Sequence, residues 1–376
     1  MVAREQRSPN ACSNTLAEVL SAYETFRTHF EITESNSVHQ LVQQSVSVPV
    51  MSFPTGEIPP GFHPSTFDVT SPPLLRVGFE TEGGEVVRVH LVWSHLLLDA
   101  YSTELVCEQL TAALSGLDRS PGAVVQPVEC SAWEVSEDGL AYNRRSLEHW
   151  RSQLPHFPAR YVGIGAGEEA GFFLGRLEAP GMVAAATRAA AAARVSAPTV
   201  LIAAVAETLC RLTGMRQLPF LLRTSGRARK QAHTVGPMAE DAPALYSPAS
   251  DHSGVRESLS TMFRQLLRAQ EYGAYNPADL ASMLTSLAEE GFVPDRRVLI
   301  NCQQGGAKEL AAAAANEFQF EWIGEREFDP SVCYVDIFPA DGSFLFMLDS
   351  TFISRKRFEE AVPMLVGLPD KWRHDS

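Results

Sequence analysis

Apolar residues at helical spacing open the readable part of the chain: Leu16, Val19, Leu20, Tyr23 and Phe26 run on from Thr15-Leu-Ala-Glu18, which has the spacing of a capping box. The pattern predicts an amphipathic helix from about residue 14 to somewhere between Arg27 and Phe30. From Pro49 to Pro73 seven prolines accompany Gly56 and Gly61, which excludes a long regular element and predicts an irregular surface excursion. Two apolar runs follow, 74–79 and 85–93, parted by Glu82-Gly-Gly84, a β-hairpin signature. The second run leads straight into Ser94-His95, and from Tyr101 to Leu117 the spacing turns helical through Leu105, Leu110 and Leu114.

Residues 148–154, two prolines and a Gly/Glu-rich stretch at 163–171 mark the end of one half, with a boundary expected between 160 and 175. Beyond it, the Ala-rich stretch Met182–Arg194 predicts a helix, Ser196-Ala-Pro198 breaks it, and Thr199–Leu212 predicts a second, buried one. Strands are predicted at 218–223, 297–302, 332–338 and 343–348, and helices at 257–268 and 279–287. The order is mixed α/β without a short-period repeat, and Ala311–Ala315 is low-complexity alanine with no chemical role.

Composition narrows the classes. The chain has 376 residues, 45% hydrophobic and 20% charged, enough for two domains or one fold of two halves. A net charge of −14 argues against broad capture of nucleic acid or an anionic membrane, so neither is an expected partner. Six scattered cysteines contain no C-x-x-C pair, which points away from a zinc cage or a disulfide framework and toward a cytoplasmic home. The N-terminus has no apolar signal region, and the apolar run 200–206 is far too short to span a bilayer. No P-loop, dinucleotide fingerprint or His-x-x-x-His ligand pair occurs, so neither a metal nor a permanently bound cofactor is expected.

The chemistry worth weighing lies in VWSHLLLDAYS, residues 92–102. At a strand end His95 can take or hold a proton near neutral pH, although a histidine in apolar surroundings is more often a packed structural residue. Asp99 lies too deep in an apolar run to be a solvated surface charge, and an unpaired buried carboxylate costs several kcal/mol, so it should have a cationic partner. Arg27, closing the first predicted helix, is the candidate; otherwise it is a solvated helix-end arginine favoured by the dipole.

SHLLLDAYS resembles the HHxxxDG signature of the condensation domains of nonribosomal peptide synthetases, members of the chloramphenicol acetyltransferase-like superfamily. Other stretches are similar to that family in the same order: YETFRTHF (23–30), FDVTSPPLLRVGF (67–79), SLEHWRSQL (146–154), SAPTVLIAAVAETLCRLTG (196–214), LLRTSGR (221–227), RVLINCQQ (297–304) and the closing 348–368. The resemblance implies an α/β (α+β two-layer) fold, a V-shaped pseudo-dimer of two acetyltransferase-like lobes, 1–165 carrying SHLLLDA and 166–376, with a central tunnel. It implies that His95 is catalytic, that Asp99 pairs with Arg27 to hold the loop, and that Ser94, Ala100, Tyr101, Ser102 and Asn301 line the tunnel. Ser102 would cap the next helix. The implied partners are an acyl or peptidyl carrier protein, whose phosphopantetheine arm brings the thioester, and a small amine or alcohol acceptor.

Ser94 stands where the motif has its first histidine, and Ala100 where it has glycine, so a backbone needing φ > 0 would have to shift. The family's opening strand and helix are expected to be missing, as are the Asn-Thr-Pro-Leu-Arg ending after Gly226-Arg227 and any adenylation or carrier segment, making this a free-standing, shortened relative. Three readings follow: a condensation-type acyltransferase forming an amide or ester; a catalytically degenerate module recruiting a carrier protein or tailoring enzyme; or cyclisation or epimerisation on the same fold. In an acidic chain, docking of an acidic carrier would need a local basic patch, and Arg223, Arg227, Arg229 and Lys230 are one candidate, a solvated loop being the alternative.

Overall fold

The computed structural model describes residues 2–375 except 36, 46, 64–65, 72, 118–123, 162, 164–170, 229–230, 250–253 and 304–316, with the backbone alone for 2–7. Thirteen strands and ten α-helices among these residues make the mixed α/β class expected. The chain forms two compact units, residues 1–140 with 229–239, and 141–228 with 240–376. This division differs from the expected 1–165 and 166–376. The Trp150 face of the helix at 137–153 packs with Leu221, Leu280 and Met283 of the second unit, and a later stretch of chain returns to the first.

The first unit opens on β1 (Val2–Arg7) and α1 (Pro9–Ser21), the latter being the first helix that the apolar spacing predicts. β1 escapes an apolar-pattern reading because it is a polar edge strand, paired antiparallel to β6 (Glu85–Trp93) alone in a sheet of order β1-β6-β5-β4. α1 starts at the Ser8 cap with Pro9 in its first turn, not at Thr15, which lies inside the helix and donates to the Ala11 carbonyl at 3.1 Å. A short α2 (Glu24–Arg27) and the ribbon β2 (Thr28–Ile32) and β3 (Val38–Val42) follow.

The proline-rich stretch holds one short strand, β4 (Val50–Pro54), parallel to β5 (Leu75–Glu82). β5 and β6 form the expected hairpin, and its turn residues Gly83 and Gly84 take φ of +59° and +88°, where a side chain would be strained. α3 (Ala100–Leu114) and α1 pack on the sheet through Leu16, Leu20, Val77, Phe79, Val106 and Leu110. α4 (Pro127–Glu134) and α5 (Glu137–Gln153) lead on.

The second unit is built on a seven-stranded sheet, in spatial order β11 (Gln319–Arg326), β7 (Phe172–Glu178), β13 (Ser343–Asp349), β12 (Cys333–Phe338), β10 (Val298–Cys302), β8 (Leu218–Thr224) and β9 (Glu240–Tyr246). One face, through Leu222, Ile300, Val335 and Phe346, shares a core with α6 (Pro180–Ala193), α7 (Ala197–Thr213), α8 (Val255–Glu271) and α10 (Arg355–Asp375). On the other, Leu221 and Leu299 pack with α5 and α9 (Pro277–Glu289). α7 is the buried helix expected, and no single described helix is long and apolar enough to cross a membrane.

Candidate functional site

The site grows from the end of β6. Ser94 donates its amide to the Leu74 carbonyl at 2.9 Å, the last tie to β5, and a turn closes when the Leu97 amide donates to the Ser94 carbonyl at 2.9 Å. Leu97 and Leu98 are buried in the first unit's core, while His95 and Leu96 are exposed on the turn. Thr25 Oγ1 donates to the Leu97 carbonyl at 2.5 Å, so α2 also holds the turn.

His95 Nδ1 lies 2.9 Å from the Leu98 carbonyl oxygen. A carbonyl can only accept, so Nδ1 carries the proton and, in the neutral ring, Nε2 keeps its lone pair. Nε2 has no partner among the described residues. The turn therefore orients an exposed imidazole with its basic nitrogen unused.

Asp99 is 3% exposed and caps α3: one oxygen accepts from the Ser102 amide at 2.8 Å, the other from the Met238 amide at 3.0 Å. The expected pair with Arg27 is not formed. Arg27 instead donates from Nη1 to the Gln43 carbonyl beside the β2–β3 ribbon, and its Nε is buried without a partner. The amide dipoles at the start of α3 and the Met238 amide stabilise the carboxylate.

Ser102 is not the cap but the donor to it, and its hydroxyl serves elsewhere. Its Oγ donates to the Gly236 carbonyl at 2.8 Å and accepts from the Gly236 amide at 3.0 Å. Tyr101 donates its hydroxyl to the Ala232 carbonyl at 3.0 Å. Residues 232–238 thus lie along the start of α3, with Val235 buried in the same core and Thr234 Oγ1 3.2 Å from Cys130 Sγ. Gly236 and Met238 are site residues that the sequence reading missed.

Ala100 is the first residue of α3, and among the described non-glycine residues only Arg194 has a positive φ. The backbone does not need glycine there. Asn301 belongs to the second unit, in β10, where its amide donates to Asp336 at 2.7 Å and Tyr334 donates to the same oxygen at 3.0 Å. Burial pushes the Asp336 carboxyl up and the Tyr334 phenol to about 12, the neighbouring carboxylate adding to the latter.

The basic cluster is not a set of free cations. Arg223 Nε meets Asp241 at 3.0 Å, Arg227 donates to the Ser225 carbonyl at 2.7 Å, and Arg229 and Lys230 lie outside the described residues. Among the described residues no group of three His, Cys, Asp or Glu stands close enough to hold a metal ion, and the six cysteines form no disulfide.

Comparison with known proteins adds three findings. The family model for the Condensation domain matches residues 3–321. Nonribosomal peptide synthetase kk1B of Curvularia clavata is 26% identical over 148 residues, 35% of this chain and 1% of that protein, so the chain spans a very small part of its curated relative. Two solved structures share the fold across nearly the whole chain. One, described for condensation domain-mediated chain release from the enacyloxin polyketide synthase, has a TM-score of 0.75 at 14% identity, covering 97% of this chain and 75% of that one. The other, the condensation domain of the Monacolin K polyketide synthase MokA, has a TM-score of 0.74 at 15% identity, covering 99% and 90%.

Proposed function

Because this chain belongs to the Condensation domain family, we propose that it is an acyltransferase that joins a carrier-protein-bound acyl or aminoacyl thioester to an amine or hydroxyl acceptor in nonribosomal peptide or related biosynthesis. The observation that carries the reading is the turn geometry at His95: Nδ1–H is held by the Leu98 carbonyl at 2.9 Å and the exposed ring keeps its Nε2 lone pair. The acceptor nitrogen or oxygen attacks the thioester carbonyl carbon. The new C–N or C–O bond forms, the C–S bond breaks, and the thiol of the pantetheine arm leaves.

His95 Nε2 acts by positioning the acceptor, by taking its proton and passing it to the departing sulfur, or by stabilising the tetrahedral intermediate. Asp99 is a positioning residue. It starts α3 and ties the turn to Met238, so its effect on transfer runs through the placement of His95.

The test is intact-mass spectrometry of the protein incubated with carrier-bound donors and a panel of amines and alcohols. A product containing both substrates supports the proposal and excludes epimerisation. Ser94 in place of the motif's first histidine is the observation that favours the runner-up, a recruitment module. Stable binding of a carrier or tailoring enzyme, unchanged by His95→Ala and without product from competent substrates, overturns the transfer reading in its favour.

A further inference from the structure

The second unit carries a cleft of about 820 Å³ on the β8–β10–β12 face of its sheet. Its apolar wall is Leu221, Leu299, Val293 and Met347; the strand register brings Leu221 and Tyr334 opposite Leu299, and Met347 opposite Tyr334. The charged groups do not cancel. Of the three carboxylates on the lining, Asp241 is met by Arg223 at 3.0 Å, Asp295 by Arg297 at 2.8 Å, and Asp329 by Arg326 at 3.6 Å. Arg296 and Arg160 also line the cleft, and among the described residues neither has a hydrogen bond or ion pair.

Arg296 is half-buried, and burial pushes its pKa down while the charges of Asp241 and Asp295 oppose that shift. A partly desolvated guanidinium keeps its charge and lacks acceptors, which an incoming anion supplies. The segment bearing it is fixed beforehand. The Asp295 amide donates to the Pro158 carbonyl at 2.7 Å, Asp295 accepts from the Tyr161 amide at 2.9 Å, and the Arg297 carbonyl accepts from the Val332 amide at 2.9 Å.

We propose that this cleft binds a small molecule bearing a carboxylate or phosphate, the oxyanion held by Arg296 with Arg160 and the apolar body lying on Leu221, Leu299 and Met347. This site lies within the second unit and its proof does not require acyl transfer. The decisive measurement is equilibrium binding to the full chain of three probes with the same alkyl body: hexanoate, hexyl phosphate and the neutral hexanamide. At least one anion should bind about tenfold or more tightly than hexanamide, and Arg296→Gln should remove that advantage while leaving hexanamide unchanged.

Arg160→Gln changes an exposed side chain and keeps the test open if Arg296→Gln does not fold; it should weaken the anion several-fold. Preference for hexanoate assigns a carboxylate ligand, and preference for hexyl phosphate a phosphorylated one. Equal binding of hexanamide and both anions, or undiminished anion binding by both folded variants, overturns the proposal.

Discussion

Two regions of the first unit each bury a carboxylate almost completely, one beside side-chain donors of a neighbouring strand, the other beside main-chain amides at a helix start. On the β5–β6 hairpin, Glu80 is 2% exposed and accepts from His90 Nε2 at 2.8 Å, Arg88 Nη1 at 2.9 Å and the Gly56 amide at 3.0 Å. On the turn after the hairpin, Asp99 accepts from the main-chain amides of Ser102 and Met238. The two elements offer a buried acid different local donors. A strand places side chains beside its neighbour at a fixed register, Glu80 opposite Arg88 and His90 one pair along the same face, so cations can be supplied locally. A helix start supplies amide dipoles to a buried acid.

The comparison is broken most severely by Asp99→Ala. It removes the α3 cap and leaves the Met238 amide without its acceptor, a loss of about 2–4 kcal/mol. Urea unfolding should read this as a lower midpoint, and transfer should fall with it through the displaced His95.

Glu80 sharpens the contrast through pH. The hydrogen bond from His90 holds its carboxyl below the usual glutamate value of 4.5, aided by the Gly56 amide and the charges of Arg88 and His90 against the opposing effect of desolvation. Its folded value being depressed, the stability it contributes is present above 4.5 and lost as pH falls through the folded value. The stability gap between wild type and Glu80→Gln should therefore narrow as urea titrations move from pH 6 into acid; a gap that widens contradicts this account. The smallest effect is a deliberate near-zero. A double-mutant cycle of Arg27→Ala and Asp99→Asn should show a coupling below about 0.5 kcal/mol, whereas a direct ion pair would exceed it.

What was legible in the sequence follows the same division. The hairpin, α3 and the placement of His95 at a strand-to-helix turn could be read because their signals are local: alternation, Gly83-Gly84 and helical spacing. α7 was legible from its apolar run and Ser196 cap. The start of α1 was misread because Thr15 to Glu18 mimics a capping box, while the stronger Ser8-Pro9 start lies one polar stretch earlier.

β9 was missed because it begins with Glu240 and Asp241 and contains Pro243, tolerated since the strand lies at an edge of the sheet. The partners of Asp99 and Ser102 were out of reach for a different reason. Gly236 and Met238 contribute only main chain, 134 and 139 residues away, and a backbone amide leaves no side-chain signature at its position.

The imidazole held by the Leu98 carbonyl is the group that serves acyl transfer in the proposed reaction. The most direct measurement is the single-turnover rate of product formation from a carrier-bound donor thioester, taken side by side for wild type and His95→Ala, with circular dichroism confirming both folds. A rate reduced by about 100-fold or more in the folded variant is the expected result, the scale of losing a general acid–base group. Undiminished turnover by folded His95→Ala would contradict it.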